Sequence, residues 1–516
     1  MQHEPGRRLP RPRLADLRRH YPAALCLFAV VAFAYVSLRG LLTWPMYYED
    51  ESWSYVATFE TLRGNLFSWG AFGEGRAIFA VAAALPLPFV ALSPWGPEET
   101  VRLFSLLCGV VFLAGVFVLA KRLAPRAAWF APLVLVATPL MFTVMRYGRT
   151  DVEALALAAW ALVAAAHRRP LVAGMLSGLA LSVHPVYAWL GAPCLALAWQ
   201  AGRRDALRYL AGGVVGVLPQ ALWVLANLES SREIWDRYAI TANTAAFPLG
   251  TLQSMWEEPQ RFRAYVELLS SWQKLFQLLT YVVLPVAGLV MAVRRKSWLP
   301  MALLVAAPSI FVAATIDTKS AFYTQFVLMP LAVVAAYAVS QMPGAGRAVV
   351  AGVAMLAVTV VSLDRLEHAN ASRGLPTARE AVEALSRELP RDSVVVIPNV
   401  YAGLLQTRPD VRVFNYHGLS FHPEWRLPDC SELDDRLRTL QRDDSRGSPE
   451  RRDVSEVYFV TYPLFLDYLK SIYVDATDAQ LECMIGAPGT KTQHFEMCDA
   501  QGKRCAGIDV TRHPLR

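Results

Sequence analysis

The sequence predicts a polytopic α-helical membrane protein of about eleven transmembrane helices, ending in a smaller extracytoplasmic α/β domain. Three observations lead there. Of 516 residues, 54% are hydrophobic and only 18% charged, with a mean hydropathy of +0.30, whereas soluble domains are roughly a quarter charged. Apolar runs of spanning length recur from Tyr21 to Leu363. Near Asp364 the chain changes to mixed charge and short alternating runs. It therefore divides into a basic cytoplasmic N-terminus (1–20), a transmembrane unit (21–363, with a first external loop at 44–100) and an extracytoplasmic domain (364–516).

The net charge of +7 comes with far more Arg than Lys, and most of it sits in short loops between apolar runs. That is the pattern of topology signals, and no nucleic-acid module accompanies it. The opening "MQHEPGRRLPRPRLADLRRH" runs into an apolar stretch with no small-residue cleavage site, so it is expected to be a retained first span with a cytoplasmic N-terminus. Five basic groups then belong inside: Lys121, Arg122 and Arg126; Arg168 and Arg169; Arg203, Arg204 and Arg208; Arg294, Arg295 and Lys296; and Arg347. Alternation places spans near 21–43, 101–120, 127–145, 152–167, 171–184, 186–200, 209–228, 274–293, 298–316, 321–341 and 347–363, with the C-terminus outside. The run "RAIFAVAAALPLPFVALSPW" (76–95) would invert every later loop if it crossed. It is expected to lie in the first external loop, dipping into the outer leaflet, and Pro86 and Pro88 disfavour a straight span.

Cysteine usage agrees with this topology. Cys26, Cys108 and Cys194 fall in apolar spans, where a thiol behaves as a small hydrophobe. Cys430, Cys483, Cys498 and Cys505 lie in the terminal domain and are candidates for two disulfides, with Cys498 to Cys505 the easiest closure. A zinc site is disfavoured because no CxxC pair occurs. The domain itself alternates helix "TAREAVEALSREL", strand "SVVVIP", helix "YAGLLQ", strand "VRVFNY", strand "VYFVTY" and helix "PLFLDYLKSIY", with a mobile loop expected at 443–453. It offers no catalytic constellation; His422 has no partner legible in the sequence.

Ionisable groups gather on the external side. "YYEDESWSY" delivers Glu49, Asp50 and Glu51 at the exit of the first span. "RYGRTD" supplies Arg146, Arg149 and Asp151, "SVHP" supplies His184, and "DTKSAFY" supplies Asp317, Lys319 and Tyr323. Taken singly, Glu49, Glu74, Arg102 or Asp317 reads as a solvated loop residue, and His184 before Pro185 as a helix cap. Acids on two loops facing bases on two others are harder to explain that way, because charge at membrane depth is costly. A carboxylate can serve as general base toward an acceptor hydroxyl or amine. A second can hold a divalent cation or stabilise positive charge on a sugar. Arg and Lys suit a phosphate leaving group, and a lipid phosphate is the natural ligand in a membrane.

The segments "YYEDESWSYVATFETLRGN", "VRLFSLLCGVVFLAGVFVLAKRLAPRAAWFAPLVLVATPLMFTVMRYGRTDVEALALAAWALVAAA" and "GLALSVHP" together resemble the GT-C glycosyltransferases, most closely the protein O-mannosyltransferase and lipid A aminoarabinose transferase group (glycosyltransferase family 39-like), over roughly residues 21–345. The resemblance implies a polyprenyl- or dolichyl-phosphate sugar donor. It also implies a catalytic Asp-Glu pair at Asp50 and Glu51, a third acid at Asp151 after Pro139 and Phe142, and a later external loop with Lys319 and Tyr323 before a span that contains Pro330. Where that family often has His-Pro or Pro-Pro, this chain reads "FGEGRAIF", with Arg76 beside the donor or acceptor pocket. The expected roles are then Asp50 as base, with Glu51 and Asp151 positioning it or holding a divalent metal. Arg146, Arg149 and Lys319 are expected on the donor phosphate, and His184, Tyr323 and Arg76 around the pocket. The partners expected are membrane lipids, the polyprenyl-phosphate sugar, and an acceptor of protein, lipid or glycan type. Abundant Arg and Ala point to a bacterial inner membrane with the site facing the periplasm. The rival classes are a transporter or lipid flippase, which calls for charges at mid-span and repeated halves, and a noncatalytic scaffold.

Overall fold

The computed structural model describes residues 14–39, 41, 80–94, 97–145, 150–226, 228, 272–295, 298–315 and 325–371. Towards the C-terminus it describes 386–387, 389–391, 393–397, 408, 410–415, 429–443, 456–461, 477, 479–480, 483, 491–498 and 505–514. The first helices are α1 (Leu14–Arg39), the short α2 (Ala80–Ala84) and α3 (Leu87–Leu92), and the long α4 (Pro97–Leu123). Next come α5 (Phe130–Val136), α6 (Pro139–Val144), α7 (Thr150–Ala166) and α8 (Pro170–Val183). A 3₁₀ segment (Pro185–Leu190) leads into α9 (Gly191–Ala201) and α10 (Arg203–Ala226). Then α11 (Trp272–Leu278) passes through a π-helical turn (Leu279–Val283) into α12 (Leu284–Arg294). The bundle ends with α13 (Trp298–Thr315), α14 (Gln325–Ser340) and α15 (Gly344–Ala371).

The described residues of the expected segments are mostly helical. Among the described residues, five helical stretches are by themselves long and apolar enough to cross a membrane: Tyr21–Arg39, Glu99–Leu123, Arg203–Ala226, Leu275–Arg294 and Gly344–Glu367. The run at 76–95 differs from a continuous helix. Its described part is two short helices broken at Leu85 and Pro86, where the second begins. The third expected segment is also broken, at Ala137 and Thr138. There the Thr138 hydroxyl donates to the Val134 carbonyl at 2.8 Å and lies 2.6 Å from the Tyr281 hydroxyl in the π-helical turn. Two backbone irregularities on neighbouring elements are thereby tied by one buried hydroxyl pair.

Burial sorts the helices into a centre and a rim. Every residue of α5 and α14 except Leu331 is buried, as is most of α7; helices apolar on all sides must be enclosed. On the rim, α10 turns Val214 and Leu225 outward, each 66% exposed, and α1 and α15 do the same with Leu27 and Val349. Such a surface suits lipid rather than water.

The most intimate helix pair is α8 with α10. A Cβ on Gly174 would overlap the Tyr209 carbonyl oxygen, and one on Gly212 the Leu171 carbonyl oxygen. Gly178 and Gly216 meet the backbone at Gly213 and Met175 in the same way. Small residues let the backbones approach where hydrophobic drive is absent.

The C-terminal sheet has five strands in the order β2-β1-β3-β5-β4: β1 (Val394–Ile397), β2 (Arg412–Asn415), β3 (Glu456–Thr461), β4 (Lys491–Cys498) and β5 (Cys505–Pro514). β1 pairs parallel with β2 and β3, while β5 pairs antiparallel with β3 and β4, a register that sets Cys498 opposite Cys505. The amphipathic α16 (Cys430–Asp443) buries Leu433 and Leu437 and places Asp434 2.8 Å from His513 Nε2 on β5. Cys483 is buried and disulfide-bonded.

Substituting Gly212 by Val forces α8 and α10 apart and is expected to cost about 2 kcal/mol or more. Gly352→Ala on α15, where nothing lies within 4 Å, should be neutral or gain up to about 1 kcal/mol of helix propensity. Thermal midpoints of the purified protein in detergent check both.

Candidate active site

Asp151 stands in the first turn of α7, only 1% exposed. Its neighbours come from two other helix ends. α8 terminates at Val183, where Pro185 cannot continue the helix and starts the 3₁₀ segment instead. This puts His184 at the corner in extended backbone, with Nε2 3.6 Å from Asp151 Oδ1. The Val186 N–H donates to His184 Nδ1 at 3.4 Å. With Nδ1 accepting, the neutral ring carries its proton on Nε2, facing the carboxylate. Gln325 opens α14, is fully buried, and donates from Nε2 to the same Oδ1 at 3.3 Å. An imidazole nitrogen and an amide N–H from separate helix ends therefore face the same carboxylate oxygen.

Aromatic rings wall this cluster. His184 and Phe326 have ring centroids 5.4 Å apart, Tyr187 and Phe326 5.3 Å at an interplanar angle of 89°, and Tyr187 and Trp189 6.2 Å. The Tyr187 hydroxyl, the Trp189 indole N–H and the Gln325 carbonyl oxygen are buried without a hydrogen-bond partner. So are both carboxylate oxygens of Glu153, which is 2% exposed. Two residues after Asp151 on a helix, Glu153 projects to the other side, toward α4 near Cys108.

Of the residues singled out in the sequence, the structure brings together Asp151 and His184. His184 acts as the helix cap envisaged for it and also faces Asp151. Arg102, read as a solvated loop residue, is instead 2% exposed on α4, and its Nη1 donates to the Leu41 carbonyl at the end of α1. A guanidinium buried there takes backbone acceptors in place of water. Asp50, Glu51, Arg76, Arg146, Arg149, Lys319 and Tyr323 lie outside the described residues. Gln325, Glu153 and Tyr187 were not anticipated. A neutral amide and a phenol in apolar runs carry no charge signal, although Glu153 inside a span could have been found by the same criterion as Asp151. Among the described residues, no three His, Cys, Asp or Glu side chains could together hold a metal ion.

The shared end is consistent across the bundle. The N-termini of α7 and α14 meet the C-terminus of α8 at Asp151, while at the other end the Tyr21 hydroxyl near the start of the first apolar span donates to the Arg126 carbonyl at 3.2 Å. Asp151, His184 and Gln325 thus share one end, and the basic loop at Arg126 lies at the opposite one.

Residues 78–224, from just before α2 to nearly the end of α10, match the family model described as dolichyl-phosphate-mannose-protein mannosyltransferase. No curated protein sequence matches the chain. In fold it is similar to ArnT from Cupriavidus metallidurans bound to undecaprenyl phosphate, with a TM-score of 0.56 at 12% identity, covering 95% of this chain and 98% of that one. The apo structure of the same ArnT gives 0.52 at 14% identity, covering 95% and 97%. The chain is thus similar in fold to ArnT over nearly its whole length, and residues 78–224 match the mannosyltransferase family model in sequence.

Glu153→Met replaces an unpaired buried carboxyl by an apolar side chain of similar volume. The expected result is a gain of about 1–3 kcal/mol, seen as a higher thermal midpoint. A clear fall would show that the carboxyl has a partner in the working protein.

Proposed function

We propose that this protein is a membrane glycosyltransferase that moves a sugar from a polyprenyl-phosphate donor to an acceptor on the external face. The observation that carries the reading is Asp151: a carboxylate buried at one end of the bundle, held by His184 and Gln325, in a chain of GT-C fold. Burying a charge this way costs stability, and a reaction at that end of the bundle gives a reason to keep it. The ArnT structure with undecaprenyl phosphate supports a lipid-phosphate ligand for the fold.

In this mechanism Asp50 takes the proton of the acceptor hydroxyl or amine as it attacks the anomeric carbon. The bond from that carbon to the phosphate oxygen breaks, and polyprenyl phosphate leaves against Arg146, Arg149 and Lys319, whose charge stabilises the departing anion. Asp151 and Glu51 position the base or stabilise positive charge on the sugar; where a divalent cation is used, these acids with Asp50 are its ligands. His184 lines the pocket and orients Asp151. It does not serve as base, because its Nδ1 is bonded to the Val186 N–H and its Nε2 proton faces a carboxylate. Arg76 and Tyr323 complete the donor and acceptor pocket. The disulfide at Cys483 fits an oxidising compartment for the terminal domain, hence a periplasmic site in a bacterial inner membrane.

The test is sugar release from a panel of polyprenyl-phosphate sugars in liposomes holding the purified protein. Wild type should consume one donor, and Asp50→Asn should lose at least about a hundredfold in rate, the lower end of general-base contributions. Consumption of no donor would sink the transferase reading. Full activity in Asp50→Asn would remove the base assignment alone.

A further inference from the structure

We infer that Gln325 is a positioning and specificity-determining residue, whose amide N–H holds Asp151 while its carbonyl oxygen accepts a hydrogen bond from a hydroxyl or amino group on the transferred sugar. The inference rests on the transferase reading and deepens it. Gln325 is fully buried at the start of α14, the only strongly polar residue of an otherwise apolar segment "QFVLMPLAVVAAYAV". Its Nε2 is committed to Asp151 Oδ1 at 3.3 Å. The opposite orientation of the amide would set two oxygens against each other, so the contact with the carboxylate fixes which way the amide points. The carbonyl oxygen is then left buried with no partner.

An acceptor in that state is costly, and a donor from a ligand would relieve it. The surroundings favour a sugar hydroxyl or amine over other donors. The Tyr187 hydroxyl is likewise buried and unpartnered, the His184, Tyr187 and Phe326 rings supply the flat apolar walls against which a sugar face stacks, and among the described residues no side chain other than Asp151 meets the Gln325 amide. A site built to pair a hydroxyl rejects the analogue that lacks it, because its own buried group is then left unpaired. The amide would thus couple recognition of one sugar substituent to the placement of the Asp151 carboxylate.

The experiment uses the full-length protein in liposomes, the polyprenyl-phosphate sugar that wild type consumes, and its single-position deoxy or deamino analogues. Wild type is compared with Gln325→Met, which keeps the length without the polar atoms, and with Tyr187→Phe. We expect wild type to lose about tenfold or more in kcat/KM on one analogue. Gln325→Met should lose a similar factor on the parent sugar and no longer distinguish that analogue from it. If Gln325→Met fails to fold, judged by its thermal midpoint, Gln325→Glu keeps an acceptor and loses the donor, and is expected to retain the discrimination at a reduced rate. The inference is overturned if the variants discriminate as wild type does in all respects, if Gln325→Met loses the same factor on every analogue, or if the discrimination follows Tyr187→Phe. A wild type that consumes no donor overturns the transferase reading and this inference together, so the two failures are told apart by the wild-type lane.

Discussion

A carboxylate cannot be kept out of water without donors to replace the water, and most of what is distinctive in this bundle follows from meeting that need at Asp151. Desolvation of an ion costs several kcal/mol even after relaxation. The chain answers with an imidazole N–H at 3.6 Å and an amide N–H at 3.3 Å, brought from two separate helix ends. Both ends have to be placed to a fraction of an ångström for this to work. The corner at Pro185, the bond from Val186 N–H to His184 Nδ1 and the start of α14 at Gln325 serve that placement.

Rigidity elsewhere supports the same end. α8, which delivers His184, is locked against α10 by glycines so close that a methyl group at Gly174 or Gly212 would collide with backbone carbonyls. α14, which delivers Gln325, is enclosed almost throughout, and its neighbour α12 approaches so closely at Gly288 that a Cβ there would come within 2.6 Å of the Val334 carbonyl oxygen. Packing of this density leaves few alternative positions for a side chain at the helix end. The outward leucines and valines of the rim helices carry no such constraint and only need lipid.

Hydropathy marked the apolar segments that are largely helical, because the cost of an unpaired backbone group in lipid makes apolar length a strong signal. The irregularities escaped. The break at Thr138 and the π-helical turn at Leu279–Val283 depend on a hydroxyl pair between Thr138 and Tyr281, residues 143 positions apart, which no local pattern announces. In the C-terminal sheet, β1, β2 and β3 fall where apolar runs such as "VVVI" and "VYFV" occur. β4 "KTQHFEMC" and β5 "CAGIDVTRHP" are mixed in polarity and find their place through pairing with each other and, for β5, with β3. The helix Cys430–Asp443 was hidden by its charge density; Leu433 and Leu437 are the residues seen buried among those described within it. At the site, Asp151 and His184 were legible as ionisable groups at span ends. Gln325 was not, because its role depends on meeting Asp151 across 174 residues of sequence.

The most direct test of Asp151 as a charge kept for chemistry is a paired measurement on Asp151→Asn: the thermal midpoint, and the rate of sugar transfer from the consumed donor. Asparagine keeps an oxygen for the two donors and removes only the charge. We expect the midpoint to hold or rise while the rate falls by about a hundredfold or more. Transfer at the wild-type rate, or a collapse of the midpoint with activity lost only in proportion to the unfolded fraction, would contradict that role and make Asp151 a structural residue.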